Sequence, residues 1–159
     1  MASMDYAVIG KSLPRLDAVA KAMAQVQYVD DIRLPGMLVG KLLHSAYAHA
    51  RIKSIDTSKA EGLPGVMAVV TAADCPDVRA GSSLKDLQVF ARDKVRWLGE
   101  PVAAVAAVDE DTADRALGLI EVDYEELPAV FDPEEAMQPD APLVHEGVEG
   151  YVGYTGWMA

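Results

Sequence analysis

The sequence predicts an α+β domain, a mixed sheet with short helices packed on it, and three observations carry that reading. Between residues 36 and 70, short apolar runs are separated by turn-forming residues, the pattern of consecutive strands. Val102–Val108 is an unbroken apolar run of the kind found in a strand covered on both faces. Behind it, a helical spacing of apolar residues gives way to strict two-residue alternation.

Taken in order, residues 1–35 carry no periodicity beyond Leu16, Val19, Ala20 and Met23, which predict one short helical turn in an N-terminal arm that packs across something else. The folded domain is expected over 36–146. Its first strands are Met37–Leu43, Arg51–Ile55 and Val66–Val70. Between the second and third, Asp56-Thr57-Ser58 offers an N-cap oxygen to a short helix that Gly62 and Pro64-Gly65 end. Residues 74–92 mix Pro76, Gly81, Ser82 and Ser83 with charges and read as a long loop. Asp109–Thr112 then gives the next helix a capped, acidic start, and Ala113, Ala116, Leu117 and Ile120 mark its buried stripe. Val122 and Tyr124 alternate with Glu121, Asp123 and Glu125, a strand with one wet face. Residues 102–125 therefore predict a strand-helix-strand unit with a right-handed crossover. Asp132 followed by Pro133 and two glutamates predicts a last short helix. Residues 147–159 form a tail in which Gly147, Gly150, Gly153 and Gly156 alternate with Tyr151, Tyr154 and Trp157, either a loose end or a set of docking aromatics.

Composition narrows the function. A chain of 159 residues that is 51% hydrophobic can bury one real core. The net charge of -11 repels phosphate backbones and anionic lipid, which argues against nucleic-acid and membrane-surface partners. No apolar stretch approaches the roughly 20 residues of a membrane helix, and the N-terminus lacks a signal-peptide pattern. Cys75 is the only cysteine, too few for an iron–sulfur or structural zinc site, and it suits a reducing compartment, so a cytoplasmic protein is expected.

Motifs for chemistry are sparse. Gly10-Lys11-Ser12 imitates the end of a phosphate-binding loop without its upstream glycine or flanking strand and helix. His44, His49 and His145 lack metal-ligand spacing and read as packing or hydrogen-bonding groups near turns. No nucleophile elbow occurs. The acid pairs Asp30-Asp31, Glu125-Glu126 and Glu134-Glu135 read as solvated ends. No residue is therefore assigned a catalytic, cofactor-binding or metal-binding role. One stretch stands apart: Arg92, Arg96, Trp97, Gly99 and Glu100 concentrate charge, an indole and a turn just before the most buried strand, where a partner or ligand contact is expected. The plainer reading of the same residues is a salt-linked turn.

That stretch, read as Arg92-Asp93-Lys94-Val95-Arg96 followed by Gly99-Glu100-Pro101-Val102-Ala103, resembles a segment of the xanthine dehydrogenase and aldehyde oxidase superfamily. So do Asp31–Met37, Ala48–Asp56, Leu63–Val66, Ile120–Val130 and Asp140–Glu146, in the same order along the chain. The resemblance implies the α/β hammerhead domain that opens the large subunit of molybdenum hydroxylases. In that family the molybdopterin and the catalytic glutamate belong to larger domains that follow, and iron–sulfur clusters to a further domain or subunit. What it implies for this chain is a structural role, packing against the cofactor-binding domains or subunit and near the iron–sulfur subunit, without catalysis of its own. Two rival expectations are a free-standing small-molecule-binding protein or small enzyme with a closed pocket lined by Arg92, Arg96, Trp97 and Glu100, and a homodimer formed through bare apolar surface. The family usually has Thr-Gly where Met23-Ala24 stands and Ser-Pro-His where Ser45-Ala46-Tyr47 stands.

Overall fold

A computed structural model describes residues 6–81 and 86–145, so the glycine-aromatic tail lies outside the described residues. The chain divides into two compact units, one up to Met37 and one from Leu38 onward.

In the first unit, α1 (Ala18–Ala22) is the short helical turn expected from the spacing of Leu16, Val19 and Met23. It is followed by one 3-10 turn at Val29–Asp31. Neither element buries a residue, and Leu16 and Val29 are among the most exposed apolar side chains of the chain. Ala24, just past the end of α1, is held at φ 55, the left-handed region that costs an L-residue with a Cβ. This is the position where the resembling family usually has glycine.

The second unit holds β1 (Val39–His44), β2 (Ala50–Asp56), α2 (Ser58–Glu61), β3 (Val66–Thr71), β4 (Lys94–Val95), β5 (Pro101–Ala107), α3 (Glu110–Leu117), β6 (Glu121–Glu126) and α4 (Pro133–Ala136). The α+β class with short helices on sheet is as the sequence predicts. The strands form two three-stranded sheets, ordered β1-β5-β3 and β4-β2-β6, and each of the four strand pairings is antiparallel.

The right-handed strand-helix-strand crossover expected over 102–125 is corrected by this arrangement. Both edges of β5 are taken, by β1 and β3, so the strand that follows α3 has no place beside it and pairs with β2 in the other sheet. The handedness rule governs parallel strands of one sheet and has no purchase here. The same separation splits β2 from β3 across α2. A further departure is β4, inside the charged run that the sequence assigns to a turn.

The helices pack on one face of the β1-β5-β3 sheet. Ala103, Val105 and Ala107 alternate along β5 to meet Ala60 of α2 and Ala113 and Ala116 of α3, all almost fully buried. Alanines at the contact let helix and sheet backbones approach closely, and Leu43, Leu63, Leu117 and Ile120 pack around them. α3 is anchored at its start by Asp109, whose Oδ1 accepts the Thr112 N–H at 2.7 Å, as the capped pattern predicts. Lys41 on β1 reaches Asp114 at 2.7 Å and Glu110 at 2.9 Å, tying the helix to the sheet edge. Gly65 makes the turn into β3 at φ +94, where an added Cβ would stand 3.0 Å from Val108 Cγ2. A second cluster joins the two sheets: Val102, on the opposite face of β5, packs with Ala50, Ala91 and Val95.

Beyond Val102, that opposite face stays open. Leu42, Ala104 and Val70 lie side by side across β1, β5 and β3, and Gly40, Ala106 and Ala68 form the next row. Leu42 is 45% exposed, so the sheet is fully covered on one side only, unlike the two-sided burial expected for the apolar run.

Candidate functional site

The turn between β4 and β5 holds the five residues singled out in the sequence. β4 is short because only Lys94 and Val95 face a strand, β2, through Arg51 and Ala50. The chain then leaves the sheet at Arg96 and returns at Pro101, and Glu100 closes the excursion. Its buried carboxylate accepts the Arg96 backbone N–H at 2.5 Å, and its own N–H donates to Trp97 O at 3.2 Å. Burial pushes the Glu100 carboxyl above the usual glutamate range, against the lowering pull of the Arg96 N–H and guanidinium.

Gly99 supplies the reversal at φ +86, a conformation glycine adopts without a Cβ clash. Its N–H donates to Ser45 O at 3.0 Å, Ser45 N–H donates to Glu100 O at 2.9 Å, and His44 Nδ1 lies 2.7 Å from Gly99 O. Because a carbonyl oxygen only accepts, His44 Nδ1 carries the proton. The turn is thereby sewn to the end of β1. The Arg96 guanidinium donates from Nη1 to Lys94 O at 3.0 Å, while its buried Nε has no partner. Arg92 donates to Cys75 O at 2.9 Å, a tie outside the turn.

The structure thus brings Arg96, Trp97, Gly99 and Glu100 into one turn and places Arg92 on a separate tie. Their polar atoms are spent largely on backbone within the turn, as in the plainer of the two sequence readings. What the turn presents outward is apolar: Trp97 is 42% exposed and Leu98 is 67% exposed.

Sequence reasoning did not single out Ser45 and Tyr47 as partners of this region. Ser45 is 4% exposed, and its Oγ accepts the Tyr47 N–H at 3.0 Å. Tyr47 packs on Tyr124 of β6 with ring centroids 5.0 Å apart, so the Ser-Ala-Tyr sequence between β1 and β2 is joined to β6 by an aromatic pair.

An open hollow of about 490 Å³ lies elsewhere, lined by Ala48, His49, Glu126, Leu127, Pro128, Ala129 and Phe131, and thus by none of the five turn residues. His49 is 5% exposed, its Nδ1 donates to Pro128 O at 2.6 Å, and its buried Nε2 has no partner. No signal in the sequence marked this hollow, because its wall joins the start of β2 to the segment after β6.

Among the described residues, no three of His, Cys, Asp and Glu converge as a metal would require. Cys75 is the single thiol, and the histidines His44 and His49 spend their Nδ1 atoms on carbonyl oxygens. This donor set does not fit a molybdenum site or an iron–sulfur cluster. No helix among the described residues is long and apolar enough to cross a membrane.

Residues 23–128 match the family described as aldehyde oxidase and xanthine dehydrogenase, a/b hammerhead domain. The chain is 46% identical over 145 residues to the carbon monoxide dehydrogenase large chain of Afipia carboxidovorans, covering 89% of this chain and 18% of that protein. It is 46% identical over 133 residues to a probable xanthine dehydrogenase subunit of Bacillus subtilis, covering 83% and 18%. The crystal structure of the aldehyde oxidoreductase from Desulfovibrio desulfuricans superposes with a TM-score of 0.79 at 32% identity, covering 87% of this chain and 17% of that one. The chain therefore spans less than a fifth of the length of these relatives. With the hammerhead sheets and helices in place and the family pattern running from the arm through β6, the chain belongs to the aldehyde oxidase and xanthine dehydrogenase a/b hammerhead domain family.

Proposed function

We propose that this chain is a structural module of a molybdenum-cofactor-dependent hydroxylase or dehydrogenase, which assembles with the cofactor-binding domains or subunit and performs no catalysis itself. The observation that carries the proposal is the half-covered β1-β5-β3 sheet. α2 and α3 bury one face, while the other presents Leu42, Ala104 and Val70 in one row with no polar side chain among them. An apolar sheet face of this kind is stable in water only at a cost and gains by association. The exposed Trp97–Leu98 tip supplies a second contact in this reading, with Arg96, Gly99 and Glu100 holding the turn that presents it and Arg92 tied separately to Cys75 O. Molybdopterin and iron–sulfur clusters then belong to the partners, the iron–sulfur subunit lying nearby.

Support comes from the relatives, in which the matching segment is a small part of a long chain, and from one whose name states a large molybdopterin subunit, the nicotinate dehydrogenase of Eubacterium barkeri. The test is light scattering with molybdenum and iron assays on the purified chain, before and after mixing with a cofactor-binding subunit. Metal-free chain that joins the subunit supports assembly. Stoichiometric metal, or turnover by the chain alone, refutes it.

A further inference from the structure

The N-terminal unit, which runs to Met37, has no core: none of residues 6–37 is buried. Of the 25 large apolar side chains that stand exposed among the described residues, 12 belong to this stretch, so a minor part of the chain carries nearly half of them. Its polar groups, by contrast, are met close by. The Asp17 carboxylate takes Lys21 at 2.6 Å and Arg15 as well, Asp31 accepts the Tyr28 N–H at 2.9 Å, and Arg33 donates to Asp30 O at 2.8 Å. On α1, Val19 and Met23 lie one turn apart on one face, 69% and 61% exposed, and the Asp17–Lys21 pair takes the opposite face. Charge follows the same division. Residues 1–37 hold four acidic and four basic side chains, so the net charge of -11 lies wholly on residues 38–159. A neutral, amphipathic segment without a core recovers the cost of its exposed apolar surface only by burying it, and the surface that covers it gains nothing from charge.

We propose that residues 6–37 are a docking strap for the cofactor-binding partner, with Leu16, Val19, Met23 and Val29 entering an apolar, uncharged groove in the helix-in-groove manner. The inference rests on the assembly reading and adds a contact to the sheet face and the turn tip. Two observations choose the occupant. The family match begins at residue 23, inside the arm, and runs on to residue 128, so the second half of the arm and the sheets are matched as one piece. In the relatives that piece is less than a fifth of a long chain, whose remainder offers the cover. A second copy is the poorer occupant, because each chain brings a charge of -11 to the contact.

The test is hydrogen exchange on the full chain, alone and mixed with a cofactor-binding subunit, together with affinities for the variants Leu16→Ser and Val29→Ser. Amides of residues 6–37 are expected to exchange fast in the free chain and slowly in the complex. Each substitution weakens binding roughly tenfold and leaves the thermal midpoint of the free chain unchanged, since both side chains face solvent. Affinity is expected to hold as salt rises, because the strap is neutral. A complex in which the arm exchanges as fast as in the free chain, or whose affinity neither substitution changes, overturns the proposal and leaves assembly through the open sheet face standing. A midpoint lowered by either substitution would assign the arm to the fold of its own chain, and a dimer that they dissolve would assign it to a second copy; both overturn the proposal. A steep fall of affinity with salt overturns the uncharged groove. Failure of the subunit to join the chain at all would instead remove the assembly reading, and the strap with it.

Discussion

Replacing Glu100 tests whether the turn before β5 is held by one buried carboxylate. In Glu100→Ala the Arg96 N–H loses its acceptor, 2.5 Å away in the wild type, at a position where Glu100 itself is only 5% exposed. A hydrogen bond to a charged group contributes about 1.5–3 kcal/mol, and relief of the buried charge offsets part of that, leaving a net loss of about 2 kcal/mol. For a folded unit of this size the thermal midpoint falls by roughly 6–10 °C. Glu100→Gln keeps an acceptor oxygen without a charge and stays within about 1 kcal/mol of wild type. The two proteins also diverge with pH. Burial raises the folded-state carboxyl above its ordinary value of 4.5, so Glu100 stabilises the fold fully below that pH, and the contribution is lost as pH rises through the folded value. Glu100→Gln, which does not titrate there, therefore gains on wild type as pH increases. Urea unfolding from about pH 4 to pH 8 reads both effects. A Gln variant as damaged as the Ala variant, or a wild-type–Gln difference that is flat with pH, would refute the argument.

Three further outcomes follow from particular residues. Gly65→Ala places a methyl group 3.0 Å from Val108 Cγ2 at φ +94 and is expected to destabilise by about 1–3 kcal/mol in the same unfolding assay. Ala24→Gly relieves the left-handed strain after α1 and slows proteolysis of the arm, with a local gain of about 1 kcal/mol; faster cleavage would show that the strain is not what limits this turn. Leu98→Ala leaves stability within about 0.5 kcal/mol, because 67% of that residue is exposed, yet weakens association with a cofactor-binding subunit in a pull-down or calorimetric titration. Unchanged association would remove the tip from the docking surface.

Most elements were legible because their signals are local. The Asp109 and Asp132 caps, the Pro133 start and the alternation of β6 are short-range patterns, and each appears where the residues place it. β4 was not legible, since two residues are too few to show a period, and its partner Ala50 is distant in the sequence. The site divides in the same way. Charge, indole and glycine drew notice to 92–100, but the role of each depends on where its atoms point, and Glu100, the residue most suited to chemistry by type, points at a backbone N–H.

By itself the sequence determined the class of fold, the order of its elements and, through ordered blocks of resemblance, the family, because apolar period, capping residues and turn formers are written within a few residues of each other. Tertiary structure decided the rest. Which strands share a sheet depends on which edges are already filled, and β5, occupied on both sides, sent β6 to the second sheet. Which surface stays bare depends on where α2 and α3 come to rest, and the hollow at His49 exists only because the segment after β6 returns to the start of β2. Pairing of distant segments has no local signature, since its free energy comes from surface buried only when the whole fold has formed.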